Sequence, residues 1–252
     1  MSSERKMSKR QMMREKRARQ ARTQRLAIIG IIIVGALLVA AALIYPNLKP
    51  VGAIVTPAAA SAEEHPMAND NALGDPNAPI KIEEFSDFQC PYCDRFHQET
   101  EPQLVSTYVA PGTVYFVYRS FGEFIGPESK AAAEAAYCAG DQNKFWEYHD
   151  ILFANQTGEN VGDFTDRRLQ AFAETLSLDM NAFNTCLNSG KYSARVDQDK
   201  ADGTAAGVTA TPSFVLSYTV NGQTKTSLIP GALPFSEFQT QIESALTEMG
   251  LK

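Results

Sequence analysis

The chain has 252 residues, 44% hydrophobic and 21% charged. This is the composition of an ordinary globular protein with one sizeable core, and not of a low-complexity chain. The formal charge of −6 hides an asymmetry: residues 1–26 carry ten Lys or Arg against two acids, a local +8, so the remainder carries −14. Such a tail can bind nucleic acid, but the residues that follow it favour a membrane over that reading.

Leu26 to Tyr45 reads LAIIGIIIVGALLVAAALIY, 20 residues without a charge. At about 1.5 Å per residue it spans roughly 30 Å, the thickness of a bilayer's hydrocarbon core. A Lys/Arg cluster directly before such a span stays in the cytoplasm. Residues 1–25 are therefore expected to be a basic cytoplasmic tail, 26–45 a transmembrane anchor, and everything after Pro46 extracytoplasmic. Ala58 to Ala62 offers small-residue cleavage sites, but the apolar run is longer than a signal-peptide core, so an uncleaved anchor is the expectation. The apolar run is not followed directly by a cysteine, so it carries no lipid-anchor signal.

Residues 46–73, rich in Ala and Pro, read as a linker that holds a domain off the membrane. The folded domain is expected over 74–252. Ala78–Phe85 alternates apolar and polar residues as a strand does. Pro91 to about Val109 reads as a helix with Pro91 in its first turn. Thr113–Phe121 is a second strand, rich in Val, Tyr and Phe. A helical block follows over about 125–206, from alanine-rich Ser129–Ala139 through Asn143–Ala154 and Thr165–Leu176 to a helix capped by Asp179 and a last one over Tyr192–Ala206. Ser213–Tyr218 and Thr224–Ile229 are strands around the turn signal Asn221-Gly222, and Pro234–Leu246 is a closing amphipathic helix. The order, β-α-β, helical block, β-β-α, describes an α/β sheet interrupted by about 80 helical residues.

The stretch FSDFQCPYCDRF (85–96) places Cys90 and Cys93 between a strand and a helix. Structural zinc wants four ligands. Cys90, Cys93 and His97 could supply three, but Cys138 and Cys186 are isolated, so no metal site is expected. An inert Cys90–Cys93 staple closes too small a loop to constrain the unfolded chain. A redox dithiol fits better. Cys90 falls at the helix N-terminus, where unpaired N–H groups and the helix dipole favour a thiolate, and Cys93 lies one turn on, facing the protein. Strand alternation puts Glu84 on the covered face with Ile80 and Ile82, where burial would raise its pKa and let it exchange protons with Cys93. His149 reads as a packed histidine, Phe145, Trp146 and Tyr148 as core, and His97 has no assigned role.

Four stretches, EFSDFQCPYCDRF (84–96), FVYRSF (116–121), AAAEAAYCAGDQNKFWEYHDILFANQ (131–156) and GVTATPSFVL (207–216), resemble the DsbA-like thiol-disulfide oxidoreductases. The resemblance covers nearly all of residues 74–250. It implies a thioredoxin-like fold with an inserted helical domain, Cys90 as the exchanging thiol, Cys93 as its partner and Glu84 as the buried acid. It also implies that Thr211-Pro212 is a cis-proline loop beside the dithiol that, with Pro91 and Tyr92, meets a bound peptide. Base rates alone would make that bond trans. The Pro-Tyr dipeptide departs from the Pro-His of the most oxidising members and is similar to glutaredoxins, which implies a less oxidising dithiol.

The expected activity is donation of the Cys90–Cys93 disulfide to exported proteins with free thiols, with the cysteines carrying the electrons in place of a cofactor. The family implies reoxidation by a quinone-linked membrane thiol oxidase. A reductase or isomerase on the same fold, and a non-catalytic anchored binding module, are the alternatives. Cys138 and Cys186 each continue an apolar helix face, and in an oxidising compartment they are expected to form a structural disulfide.

Overall fold

The structure is a computed structural model that describes residues 9–48, 51–58 and 64–252. The chain divides into two units, 1–50 and 51–252.

The first unit contains helix α1, Lys9–Leu48. Its basic and apolar parts form one uninterrupted helix, so the expected tail is helical from Lys9. Arg22–Ala40 is long and apolar enough to cross a membrane by length and composition, and the last part of the expected span, residues 41–45, has side chains outside the described residues. Large apolar side chains along it, Ile28 to Val39, are exposed all round, which a water-soluble helix avoids.

The second unit is a five-stranded sheet in the order β1-β3-β2-β4-β5. Its strands are β1 Ala72–Leu73, β2 Ile80–Ser86, β3 Val114–Ser120, β4 Ser213–Val220 and β5 Gln223–Pro230. β2 runs parallel to β3 and antiparallel to β4, so Glu84 sits between Tyr118 and Phe214 on the central strand. The β4–β5 hairpin turns through Asn221 and Gly222, both at positive φ, as a two-residue turn requires.

Between β2 and β3 lie α2 (Pro91–Glu99), α3 (Glu101–Leu104) and a π-helical segment, Val105–Val109. One helix was expected here. Pro102 has no N–H to return to the carbonyl of Gln98, and the run bends at Thr100. The insertion comprises α4 Pro127–Gly140, α5 Phe145–Ala154, α6 Asp166–Thr175, α7 Met180–Asn188 and α8 Ser193–Ala205, and α9 Phe235–Glu248 closes the chain. Asp179 caps α7 by accepting hydrogen bonds from the N–H groups of Asn181 and Ala182.

One face of the sheet packs on the main core, where α2 is held by Phe96 among Phe116, Phe214 and Phe238. The other face is covered by α8 over Phe85, Phe121 and Val208. A Cβ at Gly203 would stand 2.6 Å from the Phe85 ring, so the close approach of α8 requires glycine there. Arg119 ties the same contact by ion pairs to Asp199, Asp202 and Glu83.

The expected linker over 46–73 needs correction. Residues 46–48 end α1, and 64–73 belong to the folded unit. Leu73 is fully buried, the Ala72 carbonyl accepts from Trp146 Nε1 at 3.2 Å, and the Tyr118 N–H donates to the Asn71 carbonyl. The Val55 backbone makes two hydrogen bonds with the Asn155 side chain, at 2.8 and 2.7 Å. Burying a leucine is worth roughly 1.5–3 kcal/mol, and it acts together with these hydrogen bonds in holding the segment to the folded unit. Most of the possible cleavage region, Ala59 to Ala62, lies outside the described residues.

Candidate active site

β2 ends at Ser86, and the chain turns through Asp87, Phe88 and Gln89 into α2. Cys90 is the residue before the first helical turn, with Pro91 at N1, where a missing N–H costs nothing. The Cys90 carbonyl accepts from the N–H groups of Cys93 (3.0 Å) and Asp94 (3.1 Å) and so opens the helix. Cys93 and Phe96 share the buried face of α2, while Pro91 and Tyr92 stay exposed. The Arg95 guanidinium lies 5.1 Å from the centre of the Tyr92 ring.

Both thiols are free, so the structure shows the reduced pair. Hydrogen bonding from the Cys93 thiol lowers the Cys90 pKa, burial opposes this, and further hydrogen bonds from Thr211 and the backbone of Cys93 and Tyr92 bring it to about 6. Burial pushes Cys93 well above the ordinary thiol range, and its bond to Cys90 and the nearby Glu84 charge add to this. The pair is thus polarised, with the negative charge on Cys90.

Thr211-Pro212 is cis, and Cys90 Sγ approaches the Thr211 carbonyl oxygen at 3.4 Å. The Pro212 carbonyl in turn accepts from Gly231 N–H at 2.8 Å, which fixes the loop to the end of β5. Glu84 is buried behind the pair. Burial and the charge of Glu101 raise its carboxyl to about 8, and its Oε2 has no hydrogen-bond partner among the described residues.

Some of the surrounding residues had no signal in the chain order. Asp87 N–H points at Cys93 Sγ from 3.5 Å, and its carboxylate accepts from Gln89 N–H (2.8 Å) and Ile125 N–H (3.2 Å). The Gln89 side chain donates to Ser129 Oγ at 2.8 Å and accepts from Asn160 N–H at 2.6 Å. Asp87 and Gln89 thereby fasten the dithiol loop to the helical insertion. The local signal was the short polar step between a strand and Cys90, but its partners toward the insertion, Ile125, Ser129 and Asn160, lie 38, 40 and 71 residues away.

His97 does not join the cysteines. Its Nδ1 lies 3.3 Å from Glu101 Oε2 and its ring packs against His149 and Phe153. His149 is fully buried among Phe88, Tyr118, Trp146 and Phe153. On the insertion, Cys138 of α4 and Cys186 of α7 are joined by a disulfide with Cα atoms 5.8 Å apart.

The thioredoxin family model matches residues 67–243 of this chain. A probable disulfide bond formation protein D of Bacillus cereus is 30% identical over 155 residues, 60% of this chain and 71% of that protein. A Na(+)/H(+) antiporter NhaA 1 of Salinispora arenicola is 32% identical over 149 residues, but those are 59% of this chain and only 22% of the antiporter. Among solved structures, BdbD of Bacillus subtilis aligns with a TM-score of 0.61 at 22% identity, covering 74% of this chain and 95% of that one. The α-DsbA1 of Wolbachia pipientis aligns with a TM-score of 0.62 at 24% identity, covering 76% and 98%. At these identities the two structures show the shared fold. The family match over most of the folded unit, with the Bacillus cereus disulfide bond formation relative, shows that the chain belongs to the thioredoxin family, on its DsbA-like side.

Proposed function

We propose that this protein is a membrane-anchored thiol-disulfide oxidoreductase that donates the Cys90–Cys93 disulfide to exported proteins with free thiols. The observation that carries this reading is the polarised pair: Cys90 at the N-terminus of α2 with its pKa near about 6, and Cys93 buried with its pKa raised. A stabilised Cys90 thiolate favours the reduced dithiol and so makes the disulfide oxidising.

In this scheme a substrate thiolate attacks Sγ of Cys90. The Cys90–Cys93 bond breaks, a substrate–Cys90 bond forms, and Cys93 leaves as a thiolate that takes a proton from Glu84. A second substrate thiolate then attacks the substrate sulfur of the mixed disulfide. Cys90 leaves as the stabilised thiolate, and the substrate departs with a new disulfide. Two electrons have passed to the protein's sulfurs. The exposed faces of Pro91 and Tyr92, with the Thr211-Pro212 backbone opposite Cys90, form the surface that a substrate peptide would meet. Return to the disulfide form falls to a thiol oxidase in the same membrane, of the quinone-linked kind. α1 serves as an uncleaved anchor with the N-terminus in the cytoplasm, supported by the basic residues before the apolar stretch.

The test is the reduction potential of the Cys90–Cys93 pair against glutathione. A value near roughly −120 mV supports a donor of disulfides, and one near roughly −270 mV would assign a reductase instead.

A further inference from the structure

All three histidines of the chain gather round one carboxylate. His65 Nε2 lies 3.2 Å from Asp150 Oδ2, His149 Nδ1 lies 3.1 Å from Asp150 Oδ1, and His97 Nε2 lies 4.0 Å from that same oxygen. Across the His97 ring, Glu101 Oε2 is 3.3 Å from Nδ1. These residues come from the start of the folded unit, from α2 and α3, and from α5. His65, His97, Glu101 and Asp150 line an open cavity of about 620 Å³, and His149 stands behind it.

His149 is the telling member. A carboxylate can only accept a hydrogen bond, so the contact with Asp150 places the imidazole proton on Nδ1. Nε2 then carries a bare lone pair. It is completely buried and meets no hydrogen-bond donor among the described residues. Buried acceptors in folded proteins are normally satisfied, so this one requires a partner. The His97 ring packs edge-on against the His149 ring, and one donor atom from each of His97, Glu101 and His149 lies within 4.8 Å of the other two. What these three groups can share is a cation.

We propose that His97, Glu101 and His149 form a binding site for a divalent transition-metal ion, zinc being the best match, with Asp150 positioning His149 from behind. Two imidazoles and a carboxylate suit zinc, whereas magnesium and calcium prefer all-oxygen shells. Donor atoms around tetrahedral zinc stand roughly 3.3 Å apart at bond lengths of about 2.0–2.1 Å, and the His97–Glu101 pair already has that spacing. Three protein ligands leave a fourth position, which the cavity can fill with water. The Asp150–His149 contact is the carboxylate–histidine arrangement that fixes the tautomer of metal-bound imidazoles. Neither cysteine takes part, and the proposal does not depend on the direction of electron flow at the dithiol.

The experiment uses the full chain in detergent with Cys90–Cys93 oxidised, so that no thiolate competes for the ion. Zn2+ is titrated by calorimetry at about pH 8, and proton release is followed with it, because imidazole ligands bind metal in their deprotonated form and His97 must give up a proton: burial opposes its charge, but the carboxylates of Glu101 and Asp150 raise its pKa to about 9. Co2+ is titrated in parallel and followed by its visible ligand-field bands. One ion per chain is expected, with Mg2+ unable to displace it. Asp150→Asn should weaken binding by about 10–100-fold, and Glu101→Gln and His149→Phe by more, with loss of the Co2+ bands. If His149→Phe fails to fold, His97→Gln at the cavity rim should show the same loss. Absence of saturable Zn2+ binding in the parent protein would overturn the proposal and leave the His149 lone pair to water. Equal affinity in parent and variants would overturn it too, placing the ion on surface carboxylates.

Discussion

The carbonyl oxygen of Thr211 lies 3.4 Å from Sγ of Cys90, although the two residues are 121 positions apart. Strand β4 begins two residues after Thr211 and pairs antiparallel with β2, the strand that leads to Cys90. The central pairing of the sheet therefore brings the cis-proline loop to the dithiol. Backbone just before β4 meets the thiol just before α2.

The first prediction concerns Cys90. Its alkylation rate in the reduced protein should follow a titration near about pH 6, far below an ordinary thiol near about 8.5, while Cys93 stays unreactive across that range. The folded pKa is depressed, so the stabilisation is complete above the ordinary thiol value and is lost as pH falls through about 6. Reduced protein should thus lose stability relative to oxidised protein between about pH 8 and about pH 5. Mass mapping of the alkylated cysteine, with denaturant curves of both redox forms, checks both points.

A second prediction concerns Glu84. Its carboxyl titrates near about 8 in the folded protein, against about 4.3 when unfolded. Between those values the folded state holds a proton that the unfolded state has lost, so this group makes stability fall as pH rises. Glu84→Gln should flatten that decline and unfold in urea at higher concentration than the parent at about pH 8, by at least about 1 kcal/mol. It should also slow disulfide exchange with a thiol peptide. Unchanged exchange rates across neutral pH would remove Glu84 from proton transfer.

The disulfide between α4 and α7 spans 48 positions. By the chain-entropy relation, opening a loop of that length costs up to about 4 kcal/mol. Replacing Cys138 and Cys186 together by Ala should lower stability by an amount of that order, with the dithiol still reactive. Thiol counting after mild dithiothreitol should give the two active-site thiols only, and all four cysteines after denaturation. Ready reduction of the Cys138–Cys186 bond in the folded protein would contradict this.

Membrane attachment supplies a fourth prediction. The mature chain should stay in the membrane through an alkaline carbonate wash and need detergent for release. Its N-terminal sequence should include the basic segment before Leu26. A mature chain that starts near Glu63 would instead show cleavage.

Local chemistry settled much of the second unit in advance. Alternation marked β2, β-branched and aromatic residues marked β3, Asp179 marked the start of α7, and Asn221-Gly222 marked the hairpin. The CxxC at a strand–helix junction likewise announced a thiol at a helix N-terminus, and the alternation of β2 put Glu84 on the covered face. Each of these signals acts over a few residues, where backbone preference and side-chain spacing are enough.

Other features have no local cause. A two-residue strand such as β1 is too short for any period, and it exists because the edge of β3 and the Trp146 indole await its backbone. The bend at Thr100 needed Pro102 to be weighed against a helix that otherwise reads as continuous. The histidine cluster is the strongest case. His65, His97 and His149 are scattered along the chain, and each alone reads as an ordinary polar or packed residue. Only the packing of α5 against α2, with His65 brought onto α5, brings them to Asp150, because convergence of distant side chains is a property of the core and not of any one segment.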